Sequence, residues 1–360
     1  MSLPPHFPQR LKSARLIKGY SLRELAARMG GKVSANALSR YENGVMEPST
    51  ENFVLLAKAL GMSTSFFSRT PMELEAVEFR KLAKLPAKRQ QQIVEQASDF
   101  LARYVELEHL LGIDTTFQLT TGYPYTVNGE ADVEAFATKL RTDWQLGTDP
   151  IPKVVELLEE KGIKVHQISV NLSFDGMAAK TEANGKSHYV VVLNTYDRQS
   201  VRVRFTALHE LAHILLDLSG ITDERTKEDL CHYAAGALLL PASSLIKLLG
   251  PKRRSIHIRE LVDIKEQYGI SLSAILYRAQ SAGIITAAYR NNQLKYFSMQ
   301  GWRSNREPGA YCVEERSNRM LRLLLRGIQE NILSETKGAN LYGMTAAAFD
   351  DFLDSEAGIE

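Results

Sequence analysis

Several features that mark secreted and membrane proteins are missing from this chain of 360 residues. It has only two cysteines, Cys231 and Cys312, and their spacing suggests no disulfide framework. The first residues lack a basic segment followed by an apolar core, and the longest apolar run, from Tyr233 to Pro241, is too short to cross a bilayer. We therefore expect a cytoplasmic protein with no membrane partner.

Length and composition favour a folded chain of more than one domain. Hydrophobic residues make up 44% of the sequence, which is enough for sizeable cores. The formal net charge is only +2, but the first 70 residues hold ten Lys and Arg against four Glu, a net of +6, so the remainder carries −4. Such a concentration of positive charge at one end is what a phosphate-binding surface requires.

Residues 8–69 have the pattern of several short helices, each with one apolar side. Serines at positions 21, 34 and 49 are good N-caps, and Gly44 is a good helix stop. This arrangement resembles the Xre/Cro-type helix-turn-helix of lambda-type repressors, although its turn at residues 30–33 is longer than the family's tightest form. The resemblance implies binding to double-stranded operator DNA, and reading of two half-sites implies a homodimer.

Four polar side chains in this segment are candidate DNA contacts. Asn36 and Arg40, four residues apart, suit the edges of adenine and guanine respectively. Ser34 and Asn43 suit phosphates. The alternative is that neighbouring residues such as Glu42 are structural and that the domain is simply basic.

The most specific chemical signal is the H-E-x-x-H motif His209-Glu210-Leu-Ala-His213. Apolar residues recur around it at three- and four-residue spacing with no Gly or Pro between positions 202 and 218, which predicts a helix. Residues four apart share one helix face, so both imidazoles can bind one zinc ion, and Glu210 can reach its water. A motif this short also occurs by chance, so a third ligand has to be found.

A second apolar helix is predicted from Thr226 to Pro241. Glu228, fifteen positions after His213, ranks first as the third ligand because small residues behind it let two helices approach closely. His232, one turn later on the same face, could form a hydrogen bond that fixes a liganding imidazole. The alternatives are Asp217, Glu224, Asp229 and, for a soft metal, Cys231 with His232.

Together, the motif and the segment Glu228-x-x-Cys231-His232 resemble the ImmA/IrrE family of zinc-dependent metallopeptidases, found in bacterial and phage regulators. The lead-in Arg202-x-Arg204-Phe205-Thr206 also matches, and the resemblance covers roughly residues 130–290. Two positions depart from the family: Ala212 stands where Gly is usual, and Asp217 where His is frequent. Neither position is required for the chemistry.

The resemblance implies that His209, His213 and Glu228 hold Zn²⁺ and that Glu210 is the catalytic acid and base. It also implies a regulatory metallopeptidase, a hydrolase that cleaves a protein partner or itself. Proteins with this order of modules also resemble antitoxins, which repress their own operon and bind a toxin partner. In that alternative the zincin fold serves mainly to bind the toxin. A domain that only binds has no chemical need for Glu210.

The predicted fold class is multidomain. An all-α helix-turn-helix domain (1–70) and a helical linker (71–125) precede an α+β zincin-like domain (126–290) and a mostly helical carboxy-terminal region (291–360).

Further elements follow from local patterns. A helical stretch over 72–112, interrupted at Pro86, carries an apolar stripe that could pair with a second subunit or pack within the chain. Helices are predicted over 131–144 and 151–161, and strands over 163–168, 174–180 and 188–193. The last strand is either an edge strand, able to hold an extended peptide, or a central neighbour. Residues 314–333 are too apolar to stay exposed and need a partner helix.

Overall fold

The computed structural model describes residues 3–76, 85–302 and 307–357. The α-helices are α1 (Phe7–Ile17), α2 (Leu22–Arg28), α3 (Ala35–Glu42), α4 (Thr50–Leu60), α5 (Ala87–Leu110), α6 (Glu130–Asp143), α7 (Val154–Glu160), α8 (Ser200–Leu215), α9 (Glu224–Leu239), α10 (Ala242–Leu249), α11 (Ile258–Tyr268), α12 (Leu272–Ser281), α13 (Ala287–Met299), α14 (Arg319–Gln329), α15 (Glu335–Tyr342) and α16 (Ala346–Ala357). The strands are β1 (Glu75–Ala76), β2 (Tyr125–Thr126), β3 (Lys164–Ile168), β4 (Gly176–Ala183), β5 (Lys186–Asn194) and β6 (Leu216–Asp217).

The chain divides into two compact units. The first unit comprises residues 1–116, 179–190 and 318–360, and the second unit comprises residues 117–178 and 191–317. The predicted fold class is confirmed: a helical amino-terminal region, an α+β region with small sheets and a helical carboxy terminus. Among the described residues no single helix has the length and apolarity to cross a membrane; only α9 and α10 taken together, with a 61° bend between them, meet that test.

The amino-terminal helices α1–α4 pack around one apolar core in the first unit. Their inward-facing leucines are fully buried; the central ones are Leu11, Leu25, Leu38 and Leu56. The three predicted N-caps are confirmed, because the side chains of Ser21, Ser34 and Ser49 each accept a hydrogen bond from the backbone N–H three residues ahead. Each cap satisfies a backbone donor that would otherwise be orphaned at a helix start.

The predicted helical stretch over 72–112, interrupted at Pro86, is wrong at residues 72–76, which are not helical. Pro86 is the N-cap of α5, so the helix begins only at residue 87. Before it, β1 pairs antiparallel with β4, and the Thr181 hydroxyl donates to the Glu73 carbonyl at 2.8 Å. Residues 77–84 of that prediction lie outside the described residues.

The apolar stripe of α5 packs within the chain rather than lying exposed. Ile93, Leu101 and Leu107 are buried, and helices α1, α14 and α15 pack against α5 in the first unit. The apolar residues predicted to need a partner helix find one here, since Met320 and Leu324 of α14 are also buried. Helix α14 begins at Arg319, whereas the predicted apolar segment began at residue 314.

A buried ion cluster fixes α1 to α5. The Arg10 guanidinium is 1% exposed, donates to Asp99 at 2.6 Å and to the Phe66 carbonyl at 3.0 Å, and lies 3.7 Å from the Phe66 ring centroid. Arg103 and Arg69 also pair with Asp99, at 2.9 and 3.5 Å. Burial alone raises the pKa of Asp99, but the three arginines outweigh burial and hold it below its ordinary value.

Helices of the second unit carry the two motif segments. The sheet has the strand order β1-β4-β5-β3, so β5, for which the sequence left an edge and a central position open, is an interior strand. The three predicted strands are confirmed to within three residues at each end. Helix α8 follows β5, and α9 packs against both α8 and α6. This order places the two motif helices side by side.

Candidate metal centre

Helix α8 carries the H-E-x-x-H residues into the interior of the second unit. Its apolar residues Leu208, Leu211 and Ala212 are buried, as the three- and four-residue spacing predicted. His209 and Glu210 are 1% and 0% exposed, whereas His213 is partly exposed. The helix therefore presents two imidazoles at the border between core and surface.

Helix α9 brings the third predicted ligand to the same place. It starts after Asp223, whose carboxylate accepts a hydrogen bond from the Thr226 N–H at 2.9 Å. Glu228 therefore lies one turn inside the helix, where its carboxylate faces α8. The small residues Ala234 and Ala235, further along α9, are fully buried.

The side chains of His209, His213 and Glu228 converge with separations that suit one metal ion. The two Nε2 atoms are 3.0 Å apart, and the Glu228 carboxylate oxygens lie 3.4 Å from His209 Nε2 and 3.3 Å from His213 Nε2. Ligands about 2.1 Å from a tetrahedral ion lie roughly 3.4 Å from one another. Within the described part of the chain, this is the cluster whose ligand atoms all lie within 4.8 Å of one another. The donor set and its spacing fit zinc.

The rival ligands lie elsewhere. Asp217 is beyond the end of α8, in β6, and accepts a hydrogen bond from the Ser219 N–H at 3.0 Å. Glu224 pairs with Lys227 at 2.8 Å, and Asp229 is exposed. None of the three belongs to the cluster formed by the described residues.

Cys231 lies behind His213 rather than in the cluster. Its sulfur is 3.6 Å from Nδ1 of His213, the ring nitrogen on the far side from Glu228, and the residue is fully buried. The soft-metal alternative named for this cysteine did not indicate a contact with His213, although its place three residues after Glu228 puts both on one face of α9. Burial alone lowers the pKa of His213, but hydrogen bonds to Cys231 and Glu228 outweigh burial and raise it to about 10.

His232 lies beside His209, with the two ring centroids 4.3 Å apart. Its Nδ1 donates to the Glu228 carbonyl at 2.7 Å, and its other neighbour is the Phe205 ring at 6.0 Å. The described contact between His232 and His209 is thus a ring contact, and the predicted hydrogen-bonding role remains a prediction.

Glu210 packs closely against strand β4 at Gly176, a residue that the motif did not indicate. A Cβ added to Gly176 would lie 2.6 Å from Thr206 Cγ2 and 3.3 Å from Glu210 Cγ. Any larger residue would therefore push α8 and its glutamate away from the strand. The sequence gives no periodic signal for this glycine, because Thr206 and Glu210 lie thirty or more positions later in the chain.

The candidate DNA residues lie on α3 or at its ends. Asn36 and Arg40 are exposed, and four-residue spacing puts them on one helix face. Ser34 is exposed too, but its hydroxyl caps the helix by accepting from the Ala37 N–H at 3.2 Å. Asn43 closes the other end, where its side-chain amide donates to the Ser39 carbonyl at 2.8 Å.

Part of the positive charge counted in the sequence is not available to DNA. Arg10 and Arg69 pair with Asp99 and are almost fully buried. Arg15 forms two hydrogen bonds with Glu42, at 2.6 and 2.8 Å, which gives Glu42 the structural role left open by the sequence. The DNA-facing charge is therefore smaller than the net of +6 for this segment implies.

Comparison with known families identifies two domains in this chain. A helix-turn-helix family model matches residues 11–67, and the model of the IrrE N-terminal-like domain, a peptidase family, matches residues 158–280. The second match includes both motif helices. The chain thus carries an Xre-type helix-turn-helix domain and an IrrE-like domain, as the sequence predicted.

Two curated relatives share the peptidase-type part. The radiation response metalloprotease IrrE of Deinococcus deserti is 30% identical over 123 residues, which cover 30% of this chain and 42% of the relative. The protein of the same name from Deinococcus radiodurans is 31% identical over 123 residues, covering 30% of this chain and 36% of the relative. The chain therefore spans less than half the length of either relative.

Proposed function

We propose that this chain is a DNA-binding regulator whose IrrE-like domain is a zinc endopeptidase that cleaves a regulatory protein or the chain itself. The observation that carries the proposal is the convergence of His209, His213 and Glu228 at 3.0–3.4 Å beside the buried carboxyl of Glu210. The name metalloprotease of the two relatives supports a metal-dependent peptidase. Three protein ligands leave one position of a four-coordinate ion for chemistry.

His209, His213 and Glu228 would hold the ion, and bound zinc would supply Lewis acidity to water and to a peptide carbonyl. Glu210 follows His209 directly and would take the proton of the attacking water, then deliver it to the leaving amine. Gly176 would keep Glu210 in position by permitting the close approach of β4. Cys231, whose sulfur lies 3.6 Å from His213 Nδ1, would orient that ring.

The buried Glu210 favours hydrolysis over a purely binding domain. Placing a carboxyl at 0% exposure costs free energy, and a scaffold that only binds a toxin gains nothing from it. In a peptidase the same carboxyl is the acid and base. We therefore prefer the peptidase to the antitoxin.

The amino-terminal domain would direct this activity to an operator. Asn36 and Arg40 would contact base edges in the major groove, and Ser34 and Asn43 would lie near phosphates. Binding to two half-sites would require a homodimer, acting in the cytoplasm where the DNA is.

The peptidase proposal is tested with a mixture of peptides from a digested bacterial proteome. Zinc-loaded wild type is incubated with the mixture beside Glu210→Gln, and new amino termini are identified by mass spectrometry. We expect both proteins to hold about one zinc per chain and only the wild type to produce new termini. Equal peptide patterns from two zinc-loaded proteins would contradict the proposal.

A further inference from the structure

A cavity of about 460 Å³ opens in the second unit beside the candidate metal centre. Helix α8 contributes Phe205 and Thr206, α9 contributes His232, and α12 contributes Ala274. Trp302 also lines it. Its volume lies in the range of pockets that bind small ligands or side chains.

The cavity begins one helical turn from the candidate ligands. Phe205 and Thr206 precede His209 and Glu210 by four residues each, which is about 6 Å along the helix axis. His232 lies between the cavity and the candidate metal centre. Its ring centroid is 4.3 Å from that of His209 and 6.0 Å from that of Phe205. An extended peptide advances about 3.3 Å per residue. A side chain one or two residues from a carbonyl at the metal therefore reaches this cavity.

The charged residues around the cavity already pair with one another. Asp175 accepts hydrogen bonds from Arg198 at 3.0 Å and from Arg202 at 3.1 and 2.7 Å. These arginines outweigh burial, which alone raises the pKa, and hold the pKa of Asp175 below its ordinary value. Glu307 lies 3.1 Å from Lys265, which is 1% exposed.

The uncharged part of the lining comprises the aromatic rings of Phe205, His232 and Trp302, the small side chain of Ala274, and polar side chains such as Gln199 and Ser271. Ring faces and edges pack best against another aromatic ring, in stacked or edge-to-face arrangements. The lining therefore matches a large apolar side chain better than a charged one.

We propose that this cavity is a specificity subsite that takes an aromatic side chain of the substrate next to the scissile bond. The inference rests on the proposed peptidase function and adds the class of residue that the site selects. Phe205 and Trp302 would contact the substrate ring, and Ala274 would leave it room.

The test uses two hydroxamates that are identical except for one substituent, methyl in the first and benzyl in the second. The hydroxamate group binds zinc and projects the substituent into the neighbouring subsite. Dissociation constants are measured by calorimetry on the zinc-loaded full-length chain, so no cleavable substrate is needed. We expect the benzyl compound to bind the wild type about 10- to 100-fold more tightly, as burial of one aromatic side chain predicts.

Two variants locate the effect. Ala274→Trp fills the cavity and should remove the preference for benzyl while keeping the zinc and the binding of the methyl compound. Phe205→Ala removes one wall, so it should reduce the preference without filling the cavity. Tyr277→Trp, on the same helix at a side chain that is 48% exposed, is the matched control and should keep the preference.

The possible failures are distinguishable. If the zinc-loaded wild type binds both compounds equally, or if Ala274→Trp and Phe205→Ala keep the full preference, the subsite is refuted and the metal centre stands. If the wild type binds no zinc, the proposed function is refuted and the subsite with it.

Discussion

The buried ion pair between Arg204 and Glu315 predicts a large and specific loss of stability when it is broken. Both side chains are 0% exposed, and Arg204 Nη1 lies 3.1 Å from a Glu315 oxygen. Arg204 belongs to the same helix as the candidate ligands and also donates to the Ile151 carbonyl at 2.5 Å. Glu315 accepts hydrogen bonds from the N–H groups of Val154 and Val155, at 3.1 and 2.9 Å, at the start of α7. The pair therefore ties three segments of the second unit together.

Substituting Arg204→Met keeps an unbranched side chain in the core but leaves the Glu315 carboxylate buried without a cation. Removing one partner of a buried pair costs about 3–5 kcal/mol, because the remaining charge loses its compensation. Glu315→Gln should cost less, since its side-chain oxygen can still accept from α7. The double variant should be more stable than the sum of the two losses implies, by about 1–3 kcal/mol, because the lone charge is then gone.

Urea unfolding followed by tryptophan fluorescence is the suitable assay. The chain has two tryptophans, Trp144 and Trp302, and both belong to the second unit, so the signal reports on that unit. A loss below about 1 kcal/mol for Arg204→Met, or single losses that add within roughly 0.5 kcal/mol, would refute the reasoning.

Further predictions concern pH, DNA and the metal. Because the pKa of Asp99 is lowered on folding, its contribution is present above about pH 4 and is lost as the pH falls through the lowered pKa. The difference in melting temperature between wild type and Asp99→Asn should therefore be largest at neutral pH and shrink on acidification; a difference that does not change with pH would contradict this. Arg40→Ala should weaken binding to a DNA fragment selected by the wild type by about tenfold or more, measured by fluorescence anisotropy, whereas Arg15→Ala should mainly lower the melting temperature. Zinc at the proposed site would displace the proton of His213, whose pKa is raised to about 10. Zinc affinity measured by chelator competition should therefore rise about tenfold per pH unit between pH 6 and 8, and an affinity that does not change with pH would contradict this. Cys231→Val should lower zinc affinity about 10- to 100-fold, and Cys231→Ser should recover part of it.

Local patterns in the sequence predicted many of the helices and strands and the residues of the candidate site. The H-E-x-x-H spacing and the flanking leucines predicted α8, and serine caps predicted the starts of α2, α3 and α4. The structure brings Glu228 to His209 and His213, as the proposed approach of two helices required. These features depend on periodicity and on short-range geometry, which a single sequence displays directly.

What the sequence did not reveal depends on contacts between distant segments. Gly176 is needed because β4 lies against Glu210, and Arg204 finds its counter-ion 111 residues later, at position 315. The helical prediction failed at residues 75 and 76 because β1 pairs with a strand about a hundred residues away. The count of basic residues could not reveal that Arg10 is buried. Neither periodicity nor composition encodes such pairings.

The most direct test of the account is the metal content of the purified chain. Elemental analysis after dialysis compares the wild type with His209→Ala, Glu228→Ala and, as a control that keeps all three ligands, Glu210→Gln. We predict about one zinc per chain in the wild type and in Glu210→Gln, and loss of zinc in the two ligand variants. A folded wild type that holds no zinc and takes up none on addition would contradict the central claim.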